Sequence, residues 1–201
     1  MAKVKLSKTE LKHQRDSLKR FTRFLPTLQL KKQQLQGEIL RVGEELRQHR
    51  LKIEKYDRSI APWVELMSSN EFEQIPPMVE VERVRTDIKN IAGVDIPVLE
   101  RVDFKVVEYD LFSTPCWFDE GLKAVQDKII LEINTLIIER QMELLKEELR
   151  TTTQRVNLFE KVKIPETREN IRKIQIYLGD QQVAAVGRAK IAKSKLTGVS
   201  R

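Results

Sequence analysis

Positions spaced alternately three and four residues apart from Leu11 read Leu11, Gln14, Leu18, Phe21, Leu25, Leu28, Lys32, Leu35, Ile39, Val42, Leu46, His49, Ile53, Tyr56, Ile60 and Trp63. Thirteen of these sixteen are apolar or aromatic; Gln14, Lys32 and His49 are the exceptions. A 3-4 repeat sustained over that distance predicts a coiled-coil seam. At the α-helical rise such a segment spans roughly 80 Å. It buries too little surface to stand alone in water, so it needs a partner helix along its length. Pro26 falls inside the seam and removes a backbone hydrogen bond, which predicts a kink or a break. The apolar phase continues through it, which favours the kink. Gly37 and Gly43 lie off the seam: they are either tolerated surface glycines or places where another subunit's backbone comes close.

A second stripe supplies the partner. It runs Leu122, Val125, Ile129, Ile133, Leu136, then Leu145, Leu149, Thr152, Val156, Phe159, with Ile171, Ile174 and Leu178 beyond. Thr114 suits the cap, Pro115 the first helical position, and Asp119 and Glu120 the positive end of the helix dipole. Pro165 predicts a second kink, and the tail after Ile191 is expected to fray. The simplest arrangement is an antiparallel hairpin with Ile60 near Leu122 and Leu11 near Ile171. The alternative, a parallel homodimer, needs two independent coiled coils in one chain.

Between the stripes the heptad stops. Pro62, Pro76 and Pro77 punctuate residues 61–114, and Ser68-Ser69-Asn70 offers a cap before a short helix at Glu71 to Gln74. Val79–Ile91 and Ile96–Tyr109 read as the two strands of a β-hairpin around Gly93, with Val102, Phe104 and Val106 alternating with Asp103 and Lys105. A lone hairpin is marginal in water, so it must pack on the helices or on another protein, and its edges can accept a strand or loop. The predicted fold is therefore mainly α: a long antiparallel two-helix coiled coil with a small middle head of β-hairpin and short helices. The expected organisation is an N-terminal helix over 1–63, kinked near Pro26, and a head over 64–114 with its hairpin at about 79–109. A C-terminal helix over 115–195, kinked near Pro165, and a frayed tail over 196–201 complete it.

Charge sharpens this picture. The 201 residues hold 37 Lys+Arg against 30 Asp+Glu, a net charge of +7. Residues 1–32 carry +8 and residues 161–201 carry +7, whereas residues 61–120 carry −8. A folded-back hairpin brings both basic ends to one tip; the plainer reading is that these are solvated helix faces. Catalytic signals are missing. The seven glycines fit neither G-x-x-x-x-G-K-[ST] nor G-x-G-x-x-G. His13 and His49 read as structural or solvated, and Cys116, the single cysteine, excludes a disulfide framework and any multi-Cys metal site. Adjacent pairs such as Glu44-Glu45 and Glu147-Glu148 diverge around a helix. No cofactor and no metal are expected. The longest apolar patch, Ile129 to Ile138, is interrupted by Glu132 and Asn134, short of the roughly 20 apolar residues of a membrane span. The first residues lack the apolar core of a signal peptide, so a reducing cytoplasmic location is the default expectation.

Three stretches taken in order carry a resemblance. They are Leu6-Ser-Lys-Thr-Glu-Leu-Lys with Leu28-Gln-Leu-Lys-Lys-Gln-Gln-Leu35, the acidic middle with Ile91-Ala-Gly-Val-Asp-Ile-Pro97, and Thr153-Gln-Arg-Val-Asn-Leu-Phe-Glu160. The last is followed by Val162-Lys-Ile-Pro165 and Ile171-Arg-Lys-Ile-Gln-Ile-Tyr-Leu178. Together they resemble the D subunit of the V-type (A/V-type) ATPase or ATP synthase, the central rotor shaft, over nearly the whole chain. Arg155, Val156, Asn157 and Glu160 match that family's Arg-Val-Asn-Ala-Leu-Glu-like string, with Leu158 and Phe159 in place of Ala-Leu. The Leu25-Pro26-Thr27 interruption departs from its commoner uninterrupted first helix.

The resemblance implies a non-catalytic central-stalk subunit that carries torque between an ATP-catalytic head and a membrane ion-translocating ring. Implied partners are the catalytic hexamer of A and B subunits, the small F subunit of the stalk and the funnel-shaped C/d subunit on the ring. It implies a peripheral place on the inner face of the membrane, with no insertion and no nucleic acid. The head contact is expected at Lys3, Lys5, Lys8, Lys12, Arg188, Lys190, Lys193 and Lys195. The companion contact is expected at Val81, Val84, Ile88, Val102, Phe104 and Val106, with Trp117 nearby. The alternative is a basic helical hairpin that binds nucleic acid or acts as a scaffold. Lys and Arg between positions 3 and 20 would line phosphates, but no aromatic platform interleaves them.

Overall fold

The computed structural model describes residues 5–66, 79–106, 109 and 117–198. The elements are α1 (Lys8–Leu66), β1 (Val79–Ile91), β2 (Val94–Val106), α2 (Phe118–Leu158), a π turn (Phe159–Lys163) and α3 (Ile164–Gly198). Mostly helical, with one antiparallel hairpin, this is the predicted fold class. The short helix expected at Glu71 to Gln74, the Thr114/Pro115 cap and Cys116 lie outside the described residues.

The chain packs as two compact units. One comprises residues 1–32 and 151–201, the other residues 33–150. The division follows the charge: the first holds 21 Lys and Arg against 6 Asp and Glu, the second 16 against 24. They are called the basic and the acidic unit below.

In the basic unit α1 begins on a serine cap. The Ser7 hydroxyl accepts the Glu10 backbone N–H at 3.2 Å, and the Leu11 N–H bonds the Ser7 carbonyl at 2.9 Å. This satisfies donors that a helix start leaves without partners. The helix passes through Pro26 unbroken. Near it, the Thr22 and Thr27 hydroxyls turn back to the Leu18 and Phe24 carbonyls. The half-buried positions Leu11, Gln14, Leu18, Phe21, Leu25 and Leu28 are those of the predicted seam, and Ser17 is buried beside them. The returning helix buries Thr152, Val156, Ile164, Thr167 and Ile174. The Phe21 and Phe159 rings meet across the interface at 5.2 Å.

Val156 and Ile164 are eight residues apart, one more than a heptad. The π turn between them absorbs the surplus: the Ile164 N–H bonds the Phe159 carbonyl, five residues back. Pro165 follows at once and has no N–H to continue the α-helical ladder. The insertion keeps Ile164, Thr167 and Ile174 on the buried face.

In the acidic unit the same seam continues through Leu35, Ile39, Val42, Leu46, His49, Ile53, Tyr56 and Ile60, none of them exposed. Opposite lies α2, antiparallel. Asp57 meets Lys128, Arg50 meets Glu139 and Gly43 faces Met142, so numbering rises on one helix as it falls on the other. Gly43 is thus close to a side chain of its own chain, with a hypothetical Cβ 3.7 Å from Met142 Cε, while Gly37 faces open space.

One seam position differs from the prediction. Leu136 is 63% exposed, and Ile138, absent from the predicted stripe, is 2% exposed. The predicted stripe takes α2 to pack against one helix. Ile96 of the hairpin joins Leu35, Val42, Ile138 and Leu145 in a single core cluster, so α2 turns this face to two neighbours. A three-residue step from Ile133 to Leu136 leaves that face; a five-residue step to Ile138, then on through Met142 to Leu145, follows it.

Candidate functional site

With the helices zipped, the distinguishing features are the hairpin, the polar groups in the seam and the free surfaces of the two units. The hairpin reverses at Ala92 (φ 52°) and Gly93 (φ 77°), a two-residue turn in the left-handed region. Asn90 steadies it. Its carboxamide oxygen accepts the Gly93 N–H at 3.1 Å, and its NH2 donates to Asp95 at 2.6 Å. β1 pairs with β2 from Val79↔Val106 to Ile91↔Val94, with register shifts after Val81 and after Arg85. The first inserts Glu82 into β1 and the second inserts Glu100 into β2, a pair of β-bulges, one on each strand.

The ribbon is anchored at both ends. At its base Val79 and Phe104 pack with Phe118 and Leu122. The Tyr109 ring stands edge-on to Phe118 at 4.8 Å, and its hydroxyl donates to Asp119 at 2.6 Å, which pushes the phenol's pKa up. At its tip Ile96 is buried, Ile91, Ala92 and Val94 pack around it, and Gln141 of α2 donates to the Pro97 carbonyl at 2.6 Å.

Between α1 and α2 the seam carries two exposed ion pairs and one polar layer. Arg50–Glu139 and Lys128–Asp57 both span 2.8 Å. The Asp57 hydrogen bond raises the Lys128 pKa. The Tyr56 hydroxyl donates to the Ala124 carbonyl at 3.1 Å, and burial raises its pKa, with Asp127 adding to the effect. His49 Nε2 lies 3.4 Å from the Asn134 amide, and its buried Nδ1 meets no hydrogen-bond partner in the structure. On the outer face of α1, Arg47 and Gln48 clasp Glu44 and hold its carboxyl at a pKa of about 2.

The residues expected to touch the head all belong to the basic unit. Lys5, Lys8, Lys12, Arg188, Lys190, Lys193 and Lys195 are exposed, and Lys3 lies outside the described residues. Near them α3 runs on past its last half-buried leucine, Leu178. From Gly179 to Lys195 no residue is buried, and Val183, Val186 and Ile191 are 57–74% exposed. Of the residues expected to touch a companion, Val81, Val84, Ile88 and Val106 are exposed and Val102 is half-buried. Phe104 and Trp117 pack instead against the chain's own Val79–Phe118–Leu122 cluster. Of the seam set, Leu28, Leu35, Ile39, Val42, Leu46, Ile53, Ile60, Leu122, Val125, Ile129, Ile133, Leu149 and Val156 are buried or half-buried. Gln141 carries no sequence signal, being a polar residue on a charged helix; only the approach of Pro97 gives it a role.

Among the described residues no three His, Cys, Asp or Glu side chains gather into a group able to hold a metal ion, and no helix is long and apolar enough to cross a membrane.

Comparison with known proteins covers the whole chain. The family model described as the D subunit of ATP synthase matches residues 10–194. A V-type ATP synthase D subunit of Borreliella burgdorferi is 45% identical, over 100% of this chain and 98% of its own length. Proteins of the same name from Chlamydia pneumoniae and Chlamydia trachomatis serovar L2 are 33% and 34% identical, covering 96% and 97% of this chain and 93% and 97% of their own. The antiparallel helices, the hairpin between them and this full-length similarity agree: the chain belongs to the family of ATP synthase D subunits.

Proposed function

We propose that this chain is the central-stalk rotor subunit of a V-type ATP synthase or ATPase, carrying torque between the ATP-catalytic head and the membrane ion-translocating ring without catalysing any step itself. The observation that carries this reading is the self-paired seam. In each unit α1 closes on a returning helix of the same chain through apolar 3-4 packing, the material a torque-bearing element requires. The names of the relatives support membership of such a complex.

In this reading the basic unit meets the hexamer of A and B subunits. Lys3, Lys5, Lys8, Lys12, Arg188, Lys190, Lys193 and Lys195 supply charge, and the uncovered stretch of α3 from Gly179 supplies apolar surface. The acidic unit receives the small F subunit on the hairpin, through Val81, Val84, Ile88, Val102 and Val106, and seats against the funnel-shaped C/d subunit. The protein is then peripheral on the inner face of the membrane.

The test is copurification followed by rotation. Affinity-tagged chain drawn from solubilised membranes should bring the ATPase head with it, and a bead fixed to the chain should turn when ATP is added to the immobilised head. A head that hydrolyses ATP while the bead stays still refutes the rotor assignment. Deleting residues 79–109 should abolish companion binding and leave the helices folded; retained binding refutes the hairpin's role. Recovery of nucleic acid in place of the head, with binding that falls steeply with salt, would support the basic-hairpin alternative.

A further inference from the structure

Both helices of the basic unit are interrupted close to one contact. The Phe21 and Phe159 rings meet at 5.2 Å and set the two helices level there. Pro26 lies five residues beyond Phe21 on α1, about 7.5 Å along the axis. The π turn opens at Phe159 itself and ends beside Pro165.

The backbone ladder is thin at both places. Pro26 has no N–H for the Thr22 carbonyl, the bond an α-helix would make there. The Thr22 hydroxyl donates to the Leu18 carbonyl at 2.9 Å and the Thr27 hydroxyl to the Phe24 carbonyl at 2.7 Å, back-bonds of a kind that bends helices. Across the interface, Ile164 directs its N–H to the Phe159 carbonyl, and Pro165 has none to give to Lys161. The Thr167 hydroxyl turns back to the Lys163 carbonyl at 2.6 Å. From Gln33 to Ala61 and from Phe118 to Arg150, the helices of the acidic unit hold no proline and no π turn.

Packing is lighter in the basic unit as well. Among the described residues, three of the four buried polar side chains, Ser17, Thr152 and Thr167, belong to it. Both clusters of buried apolar side chains belong to the acidic unit. A segment that has lost ladder bonds and buries little apolar surface opens more readily than its surroundings. A single interrupted helix would be splinted by an intact partner. Here the gaps are adjacent, so neither helix splints the other.

We infer that Thr22–Pro26 of α1 and Phe159–Pro165 opposite form one joint, at which the basic unit twists and bends before the helix pair of the acidic unit does. The softness is a property of the chain alone. Its use rests on the rotor reading: when one end of a turning shaft is held, the joint takes up the twist.

The test compares the parent with Pro26→Ala, which returns an N–H to the Thr22 carbonyl and leaves Pro165 in place. In native-state hydrogen exchange of the full chain, the parent's amides in 20–30 and 158–168 should exchange at least about tenfold faster than those in 39–53 and 131–145. Pro26→Ala should slow exchange in 158–168 as well as in 20–30, and leave 39–53 unchanged. Equal protection throughout the parent, or slowing confined to α1, overturns the inference. In a second measurement the immobilised head holds the chain without ATP, and a bead is fixed to the acidic unit. The angular spread of the bead should narrow by roughly twofold once one of the two gaps is closed. An unchanged spread beside slowed exchange overturns the joint as the compliant element and leaves the rotor assignment standing. A bead that never turns when ATP is added refutes that assignment and not the joint, which the exchange rates then decide.

Discussion

The Gln141 side chain, buried on α2, donates a 2.6 Å hydrogen bond to the backbone carbonyl of Pro97 on β2 and so pins the hairpin tip to the helix pair. Removing the donor strands a carbonyl at a part-buried site. Gln141→Leu should cost about 1–3 kcal/mol. Hydrogen exchange should quicken in the hairpin first. Exchange that quickens equally in the hairpin and throughout α1 would show that the bond does not act locally.

The exchange of roles between Leu136 and Ile138 can be measured directly. Ile138→Ala empties a site in the Leu35–Leu145 cluster and should cost about 2–5 kcal/mol. Leu136→Ala, on the exposed face, should stay within about 0.5 kcal/mol of the parent. Urea unfolding of the two variants decides, and equal losses would contradict the phase described for α2.

The His49–Asn134 layer interrupts an apolar seam with a buried ring nitrogen that meets no protein partner. Asn134→Ala alone should destabilise, since it removes the one neighbour of Nε2. Replacing both residues by leucine should restore the parent's stability or exceed it, because no polar group is then left buried. A double variant less stable than either single one would mean that the layer is net stabilising.

Ala92 holds a left-handed backbone conformation that costs an L-residue about 1–2 kcal/mol. Ala92→Gly removes that strain but frees the unfolded chain, so the expected net gain is below about 1 kcal/mol. A lowered unfolding midpoint would show that the methyl's packing on the core outweighs the strain.

Glu44 supplies a pH signature. Its folded pKa of about 2 lies below the ordinary value of 4.5, so its contribution to stability is present above pH 4.5 and is lost as pH falls toward 2. Glu44→Gln should remove that part of the acid sensitivity. An NMR titration of its carboxyl with a midpoint near 4.5 would show that the Arg47 and Gln48 contacts do not persist in solution.

The pairing of the helices is written in the residue order. From Leu11 to Ile60 the residues on the 3-4 repeat are the ones that packing covers, because a helix can keep so long an apolar stripe out of water only against another helix. Val79–Ile91 and the Gly93 turn were legible because strand alternation and turn chemistry are local. The segregation of charge was legible too, though it took the packing to show that the basic and acidic residues form separate compact units. Other features exist only once distant segments meet. Ile138 replaced Leu136 because the hairpin tip is a second neighbour that no helical repeat encodes. The π turn at Phe159–Lys163 answers an eight-residue spacing and a proline together, and either alone reads as a kink. Phe104 turned inward while Val84 and Ile88 turned outward because the ribbon twists between its two anchors. Alternation shows which side chains share a face of a strand; what that face meets depends on residues far away along the chain.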